Sequence, residues 1–175
     1  SGYQSLYVNT TGSFNLASGN SALGLNIDGD SNTGLGHRAL NSNTSGDLNI
    51  GVGRRSLYST TTSNYNSAIG SYALEDANRT ADTDGYNTAL GYKAGNTGTN
   101  DVTTGNKNTL LGANTASSAA AGTNQTVIGY GASGTANNSV TIGNSDVTAW
   151  YPGSDNTADL GSSSVEFKDL YIDGT

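Results

Sequence analysis

Aliphatic residues occur singly along this chain, each placed just before a glycine at the end of a short alternating phrase. The phrases are NSALG ending at Gly24, NTGLG at Gly36, NIGVG at Gly53, NSAIG at Gly70, NTALG at Gly91, NTLLG at Gly112, QTVIG at Gly129 and SVTIG at Gly143. The residue before the glycine is Leu23, Leu35, Val52, Ile69, Leu90, Leu111, Ile128 or Ile142. About five residues of alternating character and then glycine predict a short strand with one inward aliphatic side chain, followed by a bend. A small residue stands three positions after most of these glycines, at Ala39, Ser56, Ala73, Ala94, Thr115 and Ala132. It marks a second short element, giving two short strands per coil. A helix would need longer apolar periodicity and far less glycine.

Successive repeat glycines are 12, 17, 17, 21, 21, 17 and 14 residues apart. A constant unit with variable connections is the signature of a solenoid whose loops accept insertions. The first position is Asn in six copies, Asn20, Asn32, Asn49, Asn66, Asn87 and Asn108. Stacked coils would place each Asn over its predecessor, where the amides bond backbone or one another. The predicted fold is all-β, a parallel β-roll or solenoid: an irregular or partial coil over 1–18, the repeat roll over 19–149, and a cap or junction over 150–175. Pro152 ends the repeats, and Val165, Phe167, Leu170 and Ile172 alternate imperfectly with charged residues, as in a closing strand. Trp150 and Tyr151 are candidates to seal the end of the roll.

Composition sharpens this picture. More than half of the residues are Gly, Ser, Thr or Asn, while only 12% are charged, which differs from a charge-rich disordered chain. Cysteine is absent, so disulfides and thiolate sites are excluded. Seven Lys and Arg face fourteen Asp and Glu, for a net charge of -7, and the cations look scattered rather than striped. Nucleic acid is therefore not an expected partner. Membrane insertion is not expected either, since no apolar run approaches the ~20 residues of a span. A coil of about seventeen residues orders much backbone for one or two apolar side chains, so burial of a second face against identical copies is expected.

Little in the sequence suggests catalysis, a cofactor or a metal. His37 follows a repeat glycine at a variable, exposed position, and no GxSxG elbow accompanies it. GYGASG, residues 129–134, matches a dinucleotide fingerprint only because it is another repeat. Asn26, Asp28, Asp30 and Asn32 alternate, as do Asp82 and Asp84, but without the glycine and glutamate of a calcium loop they read as turn residues. Five Asn-x-Ser/Thr triplets, from Asn9, Asn43, Asn78, Asn124 and Asn137, are what such a composition produces by chance. Candidate recognition material is Tyr58, Tyr65, Tyr72, Tyr86, Tyr92 and Tyr130 with the long connections EDANRTADTDG (75–85) and GNTGTNDVTTG (95–105).

Two phrases carry a resemblance. The NTALG and NSAIG units, and most closely NSVTIG at 138–143, resemble the head repeats of trimeric autotransporter adhesins. WYPGSDNTADLGSSSVEFKDLYIDGT, residues 150–175, resembles the segment that in many bacteriophage tail fibres and tail spikes precedes an endosialidase-type intramolecular chaperone. The resemblance implies a left-handed β-roll in a fibrous homotrimer. It further implies an extracellular segment of the virion tail that joins neighbouring fibre segments, binds a host glycan or protein receptor, and precedes a chaperone domain. A bacterial adhesin head at the cell surface and a glycan-depolymerising spike are the alternatives.

Overall fold

The computed structural model describes residues 1–78, 84–151, 160, 162, 164–169 and 171. The described residues contain no helix, and their eight strands form one parallel sheet in sequence order, a β-solenoid. The strands are β1 (Leu16–Ser18), β2 (Thr33–Leu35), β3 (Ile50–Val52), β4 (Ser67–Ile69), β5 (Thr88–Leu90), β6 (Thr109–Leu111), β7 (Gln125–Ile128) and β8 (Ser139–Ile142). The chain divides into two compact units, Ser1–Asn144 and Ser145–Thr175, and all eight of these strands lie in the first.

The first repeat phrase is out of register with the others. Leu16 pairs with Thr33 and Ser18 with Leu35, so Gly19 aligns with Gly36 and the first spacing is 17 rather than 12. NSALG belongs to the turn after β1, where Leu23 stacks under Leu40, Leu57 and Leu74, all fully buried. Residues 1–18 join the same ladder: Ser1 accepts from the Gly19 N–H and Tyr3 from Ser21, as Ser18 and Asn20 do from Gly36 and Arg38.

One strand per coil, not two, is present. The residues two and four places after the corner glycines from Gly2 to Gly91, such as Arg38 and Leu40 with φ of 58° and 51°, are in the left-handed region, and after Gly112 and Gly129 Ala116 and Ser133 form only an isolated parallel bridge. This conformation interrupts extended backbone, so the second element is a turn. It still carries the expected small residue, since Ala39, Ser56, Ala73, Ala94, Thr115 and Ala132 are all buried. The corner glycine is obligatory for two reasons. At Gly53 φ is 125°, and a methyl group there would lie 2.6 Å from the carbonyl carbon of Gly70 in the next coil.

Side-chain parity corrects the predicted core. Asn32, Asn49, Asn66, Asn87 and Asn108 point inward, so the residues three positions on fall on the opposite face. Leu35, Val52, Leu111 and Ile128 are half-buried, while Ile69, Leu90 and Ile142 are 45%, 50% and 41% exposed. Of the eight aliphatic residues before glycines, only Leu23 is in the core. The inward strand positions are instead Ala17, Gly34, Gly51, Ala68, Ala89, Leu110 and Val127.

The two inward columns exchange volume. Where the turn supplies Leu23, Leu40, Leu57 or Leu74, the strand supplies only Gly or Ala; where Gly95 replaces leucine, Leu110 enters from the strand and Val102 from the long connection. A side chain at Gly95 would meet Leu74 and Leu110 within 3 Å, so the space is already full.

The remaining interior is polar and satisfied by asparagine. The Oδ1 of Asn32 accepts the backbone N–H of Asn49 at 3.0 Å, and Asn49 and Asn66 repeat the bond at 3.0 Å. The series runs from Asn15 to the N–H of Gln125, with bonds between 2.9 and 3.2 Å. The Nδ2 groups of Asn15, Asn32 and Asn49 donate at 2.7 Å to the carbonyls of Gly29, Gly46 and Ser63, closing each coil on itself. Asn20 stands outside this series because its phrase is out of register. A second, shorter ladder links Asn43 to Asn26 and Asn26 to Asn9, each bond 2.7 Å. It stops where Thr60 replaces Asn and donates to Ala77 at 2.8 Å, leaving Asn43 Oδ1 buried without a partner. Glycine three residues after each of these Asn makes room for the amide; Gly46 gives way to Ser63 where Thr60 takes over.

In the second unit, Ser162 and Val165 form a small turn, with Ser162 N–H donating to Val165 at 2.8 Å and Val165 N–H to the Ser162 hydroxyl at 3.1 Å. The described residues of 150–175 form no strand, and Trp150 and Tyr151 are 71% and 89% exposed rather than sealed. Val165 and Phe167 are exposed, while Pro152, Leu170 and Ile172 lie outside the described residues.

Replacing Asn49 with Ala leaves the Asn66 N–H and the Ser63 carbonyl buried without partners, at a cost of about 2–5 kcal/mol. Gly53→Ala is expected to cost about 2–4 kcal/mol through strain and overpacking. Denaturant unfolding of each variant measures both, with Gly98→Ala as the comparison that keeps the strain of a positive φ, 85°, but not the overpacking, since nothing lies within 4 Å of that position.

Candidate functional site

Because every coil repeats the same corner, the two residues after each glycine form two columns along one edge of the roll. The first column reads Tyr3, Asn20, His37, Arg54, Ser71, Tyr92, Ala113 and Tyr130; the second reads Gln4, Ser21, Arg38, Arg55, Tyr72, Lys93, Asn114 and Gly131. Backbone bonds set their stacking: Arg55 N–H donates to His37 at 2.9 Å, Tyr72 to Arg54 at 2.8 Å and Lys93 to Ser71 at 3.0 Å. Neighbouring coils therefore stand one strand spacing apart, roughly 4.8 Å.

Four of the seven Lys and Arg, and the single His, gather on this edge. The sequence reading of scattered cations misses it. The available signal is their constant offset from the repeat glycine, one or two places on. The Arg54 guanidinium lies 5.3 Å from the Tyr72 ring centre, Tyr72 meets Tyr92 edge to face at 6.1 Å, and Lys93 Nζ lies 5.8 Å from the Tyr92 ring. This chain of cation and ring contacts crosses three coils. Arg55 turns aside: its guanidinium covers Tyr58 at 4.3 Å, and its Nε approaches Glu75 at 2.8 Å without a well-directed N–H bond. Glu75 also accepts from Asn96 Nδ2 at 2.7 Å, tying three coils together. Arg38, Arg54 and Lys93 have no carboxylate partner among the described residues.

The strand face beside this edge is the second notable surface. Its outward residues include Leu16, Ile50 and Val140 in one column and Leu35, Val52, Ile69, Leu90, Leu111, Ile128 and Ile142 in the next. Interspersed Ser and Thr are the only polar residues in these two columns. The result is an apolar strip over eight strands, longer than the isolated exposed aliphatics of an ordinary surface.

The opposite border of that face is acidic. Asp30 Oδ1 accepts the Ser13 N–H at 2.6 Å, Asp47 Oδ1 that of Asp30 at 2.7 Å, and Asn64 Oδ1 that of Asp47 at 2.8 Å. Asp30 and Asp47 thus serve a third coil-to-coil ladder, whereas Asn26 and Asn32 belong to the two inner ones. Asp28 is exposed and belongs to none of these ladders, so the four residues of the alternating phrase are spread apart, not gathered around one point. No group of three or more His, Cys, Asp or Glu able to hold a metal occurs among the described residues, and Asp82 lies outside them.

The other sequence candidates also find places. Tyr65 and Tyr86 stack at 4.9 Å and 4° on the acidic border, apart from the Tyr72–Tyr92 pair, and Tyr86 donates to Asp84 at 3.0 Å. The connection 95–105 folds on Asp101, which accepts the Gly98 N–H at 2.8 Å, and sends Val102 into the core. His37 is exposed, and GYGASG is the corner between β7 and β8. Asn43 of the Asn-x-Ser/Thr set is fully buried in a ladder. Among the described residues, no helix is long and apolar enough to cross a membrane.

Comparison with family models, with curated proteins and with solved structures gives no match to this chain.

Glu75→Gln removes the charge that ties Arg55 across coils and is expected to lower stability by about 1 kcal/mol or less. Thermal unfolding at low and high salt checks this, the difference from the parent shrinking as salt rises.

Proposed function

We propose that this chain is a structural and host-attachment segment of a phage tail fibre: a left-handed β-roll that assembles as a homotrimer, acts as a rigid spacer and binds a cell-surface glycan or protein receptor without catalysis. The observation that carries the reading is the apolar outward strip over all eight strands, which a solitary coil stack leaves in water. A ring of identical chains in axial register buries that strip with its coils aligned, and closed symmetry ends the association at a finite size. The repeat phrases and the resemblance of residues 150–175 to the segment preceding a tail-fibre chaperone support a virion location and contact with neighbouring fibre segments. In this reading nucleic acid and the membrane interior are not partners. The unbroken ladder of backbone and amide bonds suits a spacer, since each coil is tied to the next at several points around its perimeter.

The bacterial adhesin head and the depolymerising spike are the competing readings. Release of reducing ends from a panel of bacterial polysaccharides by the purified assembly would establish the spike and overturn a purely binding role. A coiled-coil stalk and membrane anchor encoded downstream would favour the adhesin.

Light scattering of the native protein should give three times 17.7 kDa. The double change Ile69→Asp and Leu90→Asp on the exposed strip should yield a folded monomer with an unchanged circular dichroism spectrum. A parent chain that is monomeric, or a variant that stays trimeric, contradicts the assembly.

A further inference from the structure

We infer that the edge formed by Arg38, Arg54, Tyr72, Tyr92 and Lys93 is a binding site for an anionic polysaccharide, one bearing carboxylates at regular intervals and lying along the stacking direction. This deepens the attachment reading and rests on it.

Three observations converge. First, a chain of net charge -7 places four of its seven Lys and Arg on one edge, within four successive coils. Three of them, Arg38, Arg54 and Lys93, lack a carboxylate partner among the described residues, although acidic residues outnumber basic ones two to one. Surface cations in an acidic protein ordinarily find a nearby acid; these are held apart from any, which leaves their field directed outward. Second, the cations are interleaved with aromatic rings. Arg54 and Lys93 rest beside Tyr72 and Tyr92, and the edge-to-face contact of the two rings leaves Tyr92 50% exposed. A ring face takes the apolar C–H face of a pyranose, and an adjacent guanidinium or ammonium takes its carboxylate. Third, the spacing is periodic: coils recur roughly every 4.8 Å. The residue repeat of an extended polysaccharide is of similar size, so successive sugars meet successive coils. The strip from Arg38 to Lys93 spans three coil steps, enough for a short run of residues.

A nucleic acid would present anions too, but it fits less well. The cations are few, and the acidic border with Asp30, Asp47 and Asp84 lies across the strand face of the same chain. A polyphosphate carries an anion on every nucleotide and gains affinity in proportion to the cations that meet it, so an edge with this few cations holds it weakly, whereas the tyrosine faces add sugar contacts for a saccharide.

The test uses the native assembly with sodium hyaluronate as a carboxylated polymer, dextran as a neutral one and oligothymidylate as a polyphosphate, measured by biolayer interferometry from low to high salt. The expected result is binding of hyaluronate but not dextran, weakening as salt rises, with oligothymidylate weaker. The triple change Arg38→Gln, Arg54→Gln and Lys93→Gln should weaken hyaluronate binding by about tenfold or more and flatten its salt dependence. Tyr92→Ala should weaken it severalfold while leaving the salt dependence in place. Lys107→Gln, a cation in a different column, should leave binding unchanged. Each variant is accepted only if its assembly mass and melting temperature match the parent.

Equal binding of dextran and hyaluronate, insensitive to the triple change, overturns the anionic site and leaves attachment standing. Preferred binding of oligothymidylate overturns the saccharide assignment. Binding to none of these and to no bacterial surface polysaccharide overturns both the site and the attachment reading.

Discussion

The asparagine amide is the interaction on which the rest of this fold depends. A coil of about seventeen residues must turn back on itself with few apolar side chains inside, and its turns leave backbone groups with no strand opposite them. One buried Asn answers both needs. Its carbonyl oxygen holds the next coil by the N–H of the following Asn, and its NH₂ holds the end of its own coil by a carbonyl fourteen residues on. No other small side chain carries both an acceptor and two donors at that reach. Register follows from it, because a slip of one residue would turn the amide outward and strand both groups.

The columns of glycine and left-handed residues are the counterpart of that economy. Carbonyls of adjacent coils approach so closely at the corner that no side chain fits, and the turn after it holds even leucine at positive φ, as at Leu40 and Leu57. Such conformations cost about 1–2 kcal/mol each for a residue other than glycine. They persist because the leucine side chains then reach the centre of the roll, where Gly34 and Gly51 have left space.

Much of this was legible in the sequence. The repeat, the parallel solenoid, the buried small residues and the Asn ladder follow from the phrases alone. The inward face did not, although it could have: Asn32 and Leu35 are three apart, an odd number, and strand side chains alternate, so both cannot point inward. The misplacement of NSALG has a different cause. Its leucine stands before a glycine as in a true repeat, and only the pairing of Leu16 with Thr33 distinguishes turn from strand. The basic edge was concealed for a third reason. Arg38, Arg54 and Lys93 are far apart in sequence and become neighbours only when unequal coils, one of them lengthened to 21 residues, are brought into register.

The independence of each coil from all but its neighbours bears on how such a chain changes length over generations. A segment such as 32–48 begins with a ladder Asn and stops one residue short of the next, so duplication or loss of such a unit by unequal recombination would join Asn to Asn with every bond type preserved. The solenoid can thus be lengthened or shortened in whole steps without inventing a new fold. What such an exchange alters is the order of side chains along the corner columns, so reach and surface chemistry are rewritten by the same event.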